Sequence, residues 1–207
     1  VLAGKYLSDN LLVDSSMIVV VGHGFGGTLA HRIAKASDGV FSAVIMVGST
    51  ALSYEDYLLG HSNLSSHTAD ELKAYQDTLD KLSKMKEQTA LENTEIVLGH
   101  SVYYFWELQK TNDYELIRKL RLPTYIVQGK KDPLVPENEG WRQYNNKIGE
   151  GVKYVTYRSF PGLNHVLMSD SSTDAYGLPQ YTENATLDIS AGRSIGQWIL
   201  SLKSTAE

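Results

Sequence analysis

Two short apolar runs flank a helical pattern near the start of the chain. Residues 17–21 are continuously apolar and end at Gly22, which is typical of a strand buried on both faces of a parallel sheet. Residues 28–35 carry apolar side chains at helical spacing, and residues 41–48 form a second apolar run. The pattern predicts a right-handed unit of strand, helix and strand.

The alternation stops after this unit. Residues 51–118 are more polar, and their apolar positions follow helical spacing. We therefore predict a helical cap insertion over 51–118, between two parts of one core, residues 1–50 and 119–207.

The α/β pattern returns after the insertion. It predicts a strand over residues 122–129, a helix over 137–148, a strand over 152–160 and a closing amphipathic helix over 185–203. Polar and apolar positions alternate over 152–160, which places that strand near the edge of the sheet. The predicted fold class is α/β, with a mostly parallel sheet.

Composition narrows the class of protein. Of the 207 residues, 42% are hydrophobic and 21% are charged, as in ordinary globular domains. A net charge of −5 without a basic block disfavours nucleic-acid binding. The absence of cysteine excludes disulfides, thiolate metal sites and a cysteine nucleophile. No apolar stretch reaches the roughly 18 residues of a membrane span, so we expect a soluble protein, either cytoplasmic or secreted.

The turn after the first strand is rich in glycine. Gly22, Gly24 and Gly27 match the dinucleotide-binding pattern G-x-G-x-x-G. That pattern also requires an acidic residue at the end of the second strand. Asp38 precedes the second strand, so it would lie at the opposite end of the sheet. Dinucleotide binding is therefore the weaker hypothesis.

The same turn matches the nucleophile elbow, G-x-S-x-G, in which a sharp turn lifts a serine above the sheet. Gly22 and Gly26 supply the small positions, but Gly24 occupies the position of the serine. Glycine has no side chain, so it cannot attack a carbonyl.

Two later strand ends carry the other groups of a serine hydrolase. Asp132 follows the strand over 122–129, and His165 follows the strand over 152–160. Carboxyl ends of parallel strands lie at one edge of a sheet, where ligands bind. The chain order of nucleophile position, acid and histidine is the order of the α/β-hydrolases.

These segments resemble the α/β-hydrolase superfamily, most closely bacterial esterases and acyl-peptidase-like hydrolases. The resemblance runs from about residue 17 to residue 203, and it is carried by VVVGHGFGG, LPTYIVQGKKDPLVP and FPGLNH. The first segment reads GHSxGG in that family, and this chain departs from it at Gly24. In that family several strands precede the elbow, whereas only about sixteen residues do here. We therefore expect a C-terminal portion of a larger chain.

The resemblance implies roles for particular residues. Asp132 orients His165, which acts as general base on a serine hydroxyl and then as general acid. The backbone N–H of Phe25 is one donor of the oxyanion hole. The residues placed on the substrate side are His23, Tyr103, Tyr104 and Trp106; the three aromatic residues line an acyl pocket or pack within the insertion. The implied substrate is a small ester or acyl compound, and no metal or cofactor is expected.

Three hypotheses remain open. The first is a hydrolase of esters or acyl-peptides that is inactive or impaired because Gly24 replaces the serine. The second is a natural relative without catalysis that binds a ligand in the same pocket. The third is a dinucleotide-binding protein.

Overall fold

A computed structural model of the chain describes residues 1–53, 56–57, 68–82, 84–97, 100–109, 112–169, 186 and 188–203. The chain forms two compact units. The first comprises Val1–Ala51 and Asp113–Glu207, and the second comprises Leu52–Asn112.

The helices and strands follow one another in the order α1 Leu2–Ser8, β1 Val19–His23, α2 Phe25–Ala36, β2 Ala43–Val47, α3 Ala69–Leu82, α4 Glu87–Glu92, β3 Ile96–Val97, β4 His100–Ser101, α5 Val102–Gln109, α6 Asp113–Leu120, β5 Thr124–Gly129, α7 Trp141–Ile148, β6 Val155–Phe160 and α8 Ile189–Lys203. Among the described residues, no helix is both long and apolar enough to cross a membrane.

The first unit is built on a parallel sheet of four strands in the order β1-β2-β5-β6. Every residue of β2 and β5 is buried, as their continuous apolar runs predict. Strand β6 lies at an end of the sheet and alternates between buried and exposed positions. The predicted α/β fold with a mostly parallel sheet is thus confirmed.

Helices cover both faces of this sheet. Successive side chains of a strand point to opposite faces, and β2 shows this directly. Val44 and Met46 pack in one apolar cluster with Ala30 of α2 and Tyr144 of α7. Ile45 and Val47 pack in a second cluster on the other face, which includes Ala191 of α8. The sheet therefore lies between two layers of helices.

The structure corrects the start of two helices. Helix α2 begins at Phe25 instead of residue 28, although Gly26 and Gly27 are poor helix formers. Helix α7 begins at Trp141 instead of residue 137, because the preceding residues form a turn whose Glu139 and Gly140 N–H groups donate to the Pro136 carbonyl at 2.9 Å. Helix α1 is an element that the apolar pattern did not predict.

The second unit has its own apolar cluster, formed by Leu79, Leu82, Val102 and Phe105 of α3 and α5. A capping box starts α3, since the Thr68 hydroxyl accepts from the Glu71 N–H at 3.3 Å while the Glu71 carboxylate accepts from the Thr68 N–H at 2.7 Å.

Buried polar groups connect the two segments of the first unit, close to where the first segment ends at Ala51 and the second begins at Asp113. The Tyr144 hydroxyl on α7 lies 2.6 Å from the Thr50 carbonyl and is hydrogen-bonded to the Asp113 carboxyl group. One turn later, the Lys147 ammonium donates to the Ala51 carbonyl at 2.9 Å. Helix α7 therefore holds both the last residues before the interruption and the first residue after it.

Candidate active site

The glycine turn bends the chain between β1 and α2. Gly24 has φ +54° and ψ −126°, and its N–H donates to the Val47 carbonyl at 2.8 Å. Residues with a side chain rarely adopt this conformation, which costs them about 1–3 kcal/mol. A strained turn at this position is a property of the nucleophile elbow.

The neighbouring glycines are explained by packing. A Cβ at Gly22 would lie 2.3 Å from the Gly26 carbonyl oxygen, and a Cβ at Gly27 would lie 1.7 Å from the Ser49 hydroxyl. The Gly22 contact is with backbone, so β1 and α2 approach this closely only because Gly22 lacks a side chain, whereas a side chain at Gly27 would displace Ser49.

Asp132 follows β5 and its side chain is fully buried. Its Oδ1 accepts hydrogen bonds from the Leu134 and Val135 N–H groups, both at 2.9 Å. Its Oδ2 lies 2.8 Å from Nδ1 of His165. The two backbone donors hold the carboxylate in one orientation, with the second oxygen directed at the histidine.

His165 lies on the loop after β6, with its side chain 10% exposed. Because a carboxylate only accepts, the bond to Asp132 places a proton on Nδ1. The other ring nitrogen, Nε2, faces the glycine turn, and a Cβ at Gly24 would lie 3.3 Å from it. The structure therefore brings together the three positions that the sequence singled out.

His23 contacts the same histidine. Its Nε2–H donates to the His165 carbonyl at 3.0 Å, and the two rings lie 4.5 Å apart at 58°. Phe25 is the first residue of α2, next to Gly24, at the helix end where backbone N–H groups lack intrahelical acceptors. Its role as oxyanion donor stays a prediction.

The predicted aromatic residues lie on α5, in the second unit. The Trp106 indole donates to the Met85 carbonyl at 2.7 Å and stacks on Tyr103 at 5.7 Å, and Tyr104 stacks on His100 at 4.5 Å. These contacts lie within that unit and agree with a packing role. Binding of substrate by these residues stays a prediction.

Sequence reasoning missed two amides that shape the loops of Asp132 and His165. Gln128 is buried, donates to the Val135 carbonyl and accepts from the Trp141 N–H at 2.9 Å, so it bridges the loop that carries Asp132. The Asn164 Oδ1 accepts from two N–H groups of the His165 loop, at 3.0 and 3.1 Å. In the sequence, only the place of a polar Gln128 within an apolar strand could have drawn attention to it.

Two strand-end glycines were also missed. A Cβ at Gly48 would lie 3.0 Å from Nδ1 of His165, and a Cβ at Gly129 would lie 2.2 Å from the Leu163 carbonyl oxygen. Their positions, Gly48 directly after β2 and Gly129 as the last residue of β5, could have drawn attention to them. Within the described residues, no group of three or more His, Asp or Glu side chains could hold a metal ion.

Comparison with known families identifies the family of the chain. A model described as the prolyl oligopeptidase family matches residues 1–180. The chain belongs to the prolyl oligopeptidase family. Membership confirms the predicted α/β-hydrolase resemblance, and it favours hydrolase chemistry over dinucleotide binding at the glycine turn.

Individual relatives are distant. Esterase EstD of Thermotoga maritima is 24% identical over 196 residues, which are 90% of this chain and 43% of EstD. The family member described here thus spans less than half the length of that curated relative.

The similar solved structures are also distant in sequence. The monoacylglycerol lipase of Paleococcus ferrophilus matches with a TM-score of 0.48 and 15% identity, over 89% of this chain and 68% of the lipase. Acetyl xylan esterase 1 of Thermoanaerobacterium matches with a TM-score of 0.49 and 15% identity, over 97% of this chain and 50% of the esterase. The sheet topology and the family match establish the fold.

Proposed function

We propose that this site is the acid–histidine part of a Ser-His-Asp hydrolase acting on carboxylic esters or acyl-peptides, impaired because Gly24 stands at the serine position. The observation that carries the proposal is the line of contacts from Asp132 through Nδ1 of His165 to Nε2, which lies 3.3 Å from the Cβ position of Gly24. The relative EstD is an esterase, which supports an ester as the substrate class.

The geometry supports distinct roles for the residues. A hydroxyl one bond beyond a Cβ at position 24 would lie within reach of Nε2 of His165, which would remove its proton as general base. Asp132 would keep the Nδ1–H in place and stabilise the imidazolium that forms. The Phe25 N–H, at the positive end of α2, would stabilise the developing oxyanion.

Restoring the hydroxyl tests the proposal. We compare Gly24→Ser with Gly24→Ala in the protein as its gene encodes it, using p-nitrophenyl acetate as substrate. Both variants carry a Cβ in the same strained turn, so the hydroxyl is the difference between them. Removal of a catalytic serine can lower kcat by about a millionfold, so we expect Gly24→Ser to exceed Gly24→Ala by roughly a hundredfold or more. Equal rates in two folded variants would overturn the proposal.

Gly24 itself favours the second candidate, a binding protein without catalysis, because glycine adopts φ +54° without strain and supplies no nucleophile. In that case, calorimetry would detect a short phenyl ester bound to the natural chain, while Gly24→Ser would bind it without turnover.

A further inference from the structure

The base of this site faces a residue that has no side chain. Within the part of the chain that the structure describes, Nε2 of His165 has no hydrogen-bond partner, whereas Nδ1 is held by Asp132. With the proton on Nδ1, the neutral imidazole presents a lone pair at Nε2. The nearest atom that a side chain at Gly24 would supply is a Cβ at 3.3 Å.

We infer that His165 activates water in place of a serine hydroxyl, so that the natural Gly24 chain hydrolyses activated esters slowly by direct attack of water. The inference rests on the proposed function in that His165 faces the substrate. The water path differs from the serine mechanism in its nucleophile, in the number of chemical steps and in the absence of an acyl-enzyme.

The physical reason is that water and a serine hydroxyl offer the same O–H donor to Nε2, and that only glycine leaves the volume of the hydroxymethyl group open to water. A methyl group at position 24 would lie 3.3 Å from Nε2, closer than an ordinary van der Waals contact to the ring atom that water must reach. Alanine would therefore obstruct the path that glycine allows, although neither residue is a nucleophile.

The reaction balances without a co-reactant other than water. Nε2 of His165 takes a proton from water, and the water oxygen forms a bond to the acyl carbon of the ester. The π electrons of the ester carbonyl move to the carbonyl oxygen. The carbonyl then re-forms, and the bond to the aryloxide breaks. The aryloxide leaves with the electron pair and receives the proton from the imidazolium. The products are a carboxylic acid and a phenol.

The test compares the natural chain with Gly24→Ala, His165→Ala and, as a matched control, His100→Ala, which removes an exposed histidine of the second unit. General base catalysis contributes about 10²–10⁴-fold. We expect His165→Ala and Gly24→Ala each to lose at least about tenfold of the p-nitrophenyl acetate turnover, and His100→Ala to keep it. Circular dichroism verifies that each variant is folded.

Two further readouts test the water path, and the second distinguishes it from an acyl-enzyme. Methanol should replace water as the attacking group on the natural chain and form methyl acetate, and Gly24→Ala should lose this product. Mass spectrometry should find no acetyl adduct in the glycine turn of the natural chain during turnover. The same turnover in the natural chain, Gly24→Ala and His165→Ala would overturn the inference, as would an adduct on the peptide that contains Gly24.

The two proposals fail separately. A gain of activity in Gly24→Ser without His165-dependent turnover in the natural chain refutes the water path and leaves the triad. His165-dependent turnover in the natural chain with an inert, folded Gly24→Ser refutes the serine mechanism and leaves the water path.

Discussion

Replacing Asp113 with asparagine should stabilise the protein above neutral pH and have little effect in acid. The carboxyl group is buried, and one of its oxygens accepts from the Tyr114 N–H at 2.8 Å. The other is paired with the Tyr144 hydroxyl, whose oxygen also lies 2.6 Å from the Thr50 carbonyl. Tyrosine has a single hydroxyl proton, so both bonds form only if Asp113 is protonated and donates to Tyr144, which donates to Thr50.

The magnitude follows from the pKa of Asp113, which burial raises from 3.8 to about 7 despite the nearby Lys147 ammonium. Between those two values the folded state binds more protons than the unfolded state, so stability falls as pH rises from about 4 to about 7. At about 1.4 kcal/mol per pKa unit, the total loss is about 4 kcal/mol. Asparagine is neutral at every pH, and its amide offers an N–H to Tyr144 and an oxygen to Tyr114.

The assay is urea denaturation of the natural chain and Asp113→Asn at intervals between pH 4 and 8, followed by tryptophan fluorescence. Burial lowers the pKa of His31 from 6.5 to about 4, which destabilises the folded state as pH falls through that range. His31 therefore acts with the opposite sign, and the informative quantity is the difference between the two proteins at each pH. That difference should be close to zero near pH 4 and rise to a few kcal/mol at pH 8. Asp9→Asn, at an exposed position, is the matched control and should leave the pH dependence unchanged.

A difference between Asp113→Asn and the natural chain that stays constant from pH 4 to pH 8 would refute the reasoning. It would mean that Asp113 ionises in the folded state as it does in the unfolded state.

Three other changes have defined outcomes. His31→Gln should gain about 3 kcal/mol of stability relative to the natural chain as pH falls from 6.5 to 4, measured by urea denaturation of both proteins, because the buried imidazole that must charge is gone. Gly129→Ala should destabilise the protein by about 1–3 kcal/mol in thermal melts, since its Cβ would lie 2.2 Å from a backbone carbonyl oxygen. Gly192→Ala, which has open space around its Cβ, is the control and should be neutral or stabilising. Asn164→Ala should speed amide hydrogen exchange in the His165 loop and lower stability by about 1–3 kcal/mol, because two backbone N–H groups lose their acceptor.

Much of the fold was predictable because burial leaves a periodic trace in the sequence. The continuous apolar runs of β2 and β5 indicated strands covered on both faces, and the alternation of β6 indicated an edge. The positions of Asp132 and His165 were predictable for a related reason. Each follows a strand of one parallel sheet, and the carboxyl ends of such strands lie side by side.

The geometry within the site was less predictable, because it depends on contacts between residues far apart in sequence. The turn at Gly24 could be matched to two motifs, and the placement of Nε2 of His165 beside it distinguishes the two geometrically. The amides of Gln128 and Asn164 hold the loops of Asp132 and His165, and although both lie in segments that carry the family resemblance, the sequence pattern assigned neither of them a role.

The sequence by itself determined the class of fold, the chain order of Gly24, Asp132 and His165 and the presence of glycine where the nucleophile-elbow pattern has serine, since these depend on local pattern and residue identity. Only the tertiary structure decided which nitrogen of His165 faces Gly24 and which oxygen of Asp132 holds the other nitrogen. It also decided that Asp113 shares the hydroxyl of Tyr144 with Thr50. Hydrogen bonds and desolvation act over a few ångströms, so such pairs exist only after packing has brought distant segments into contact.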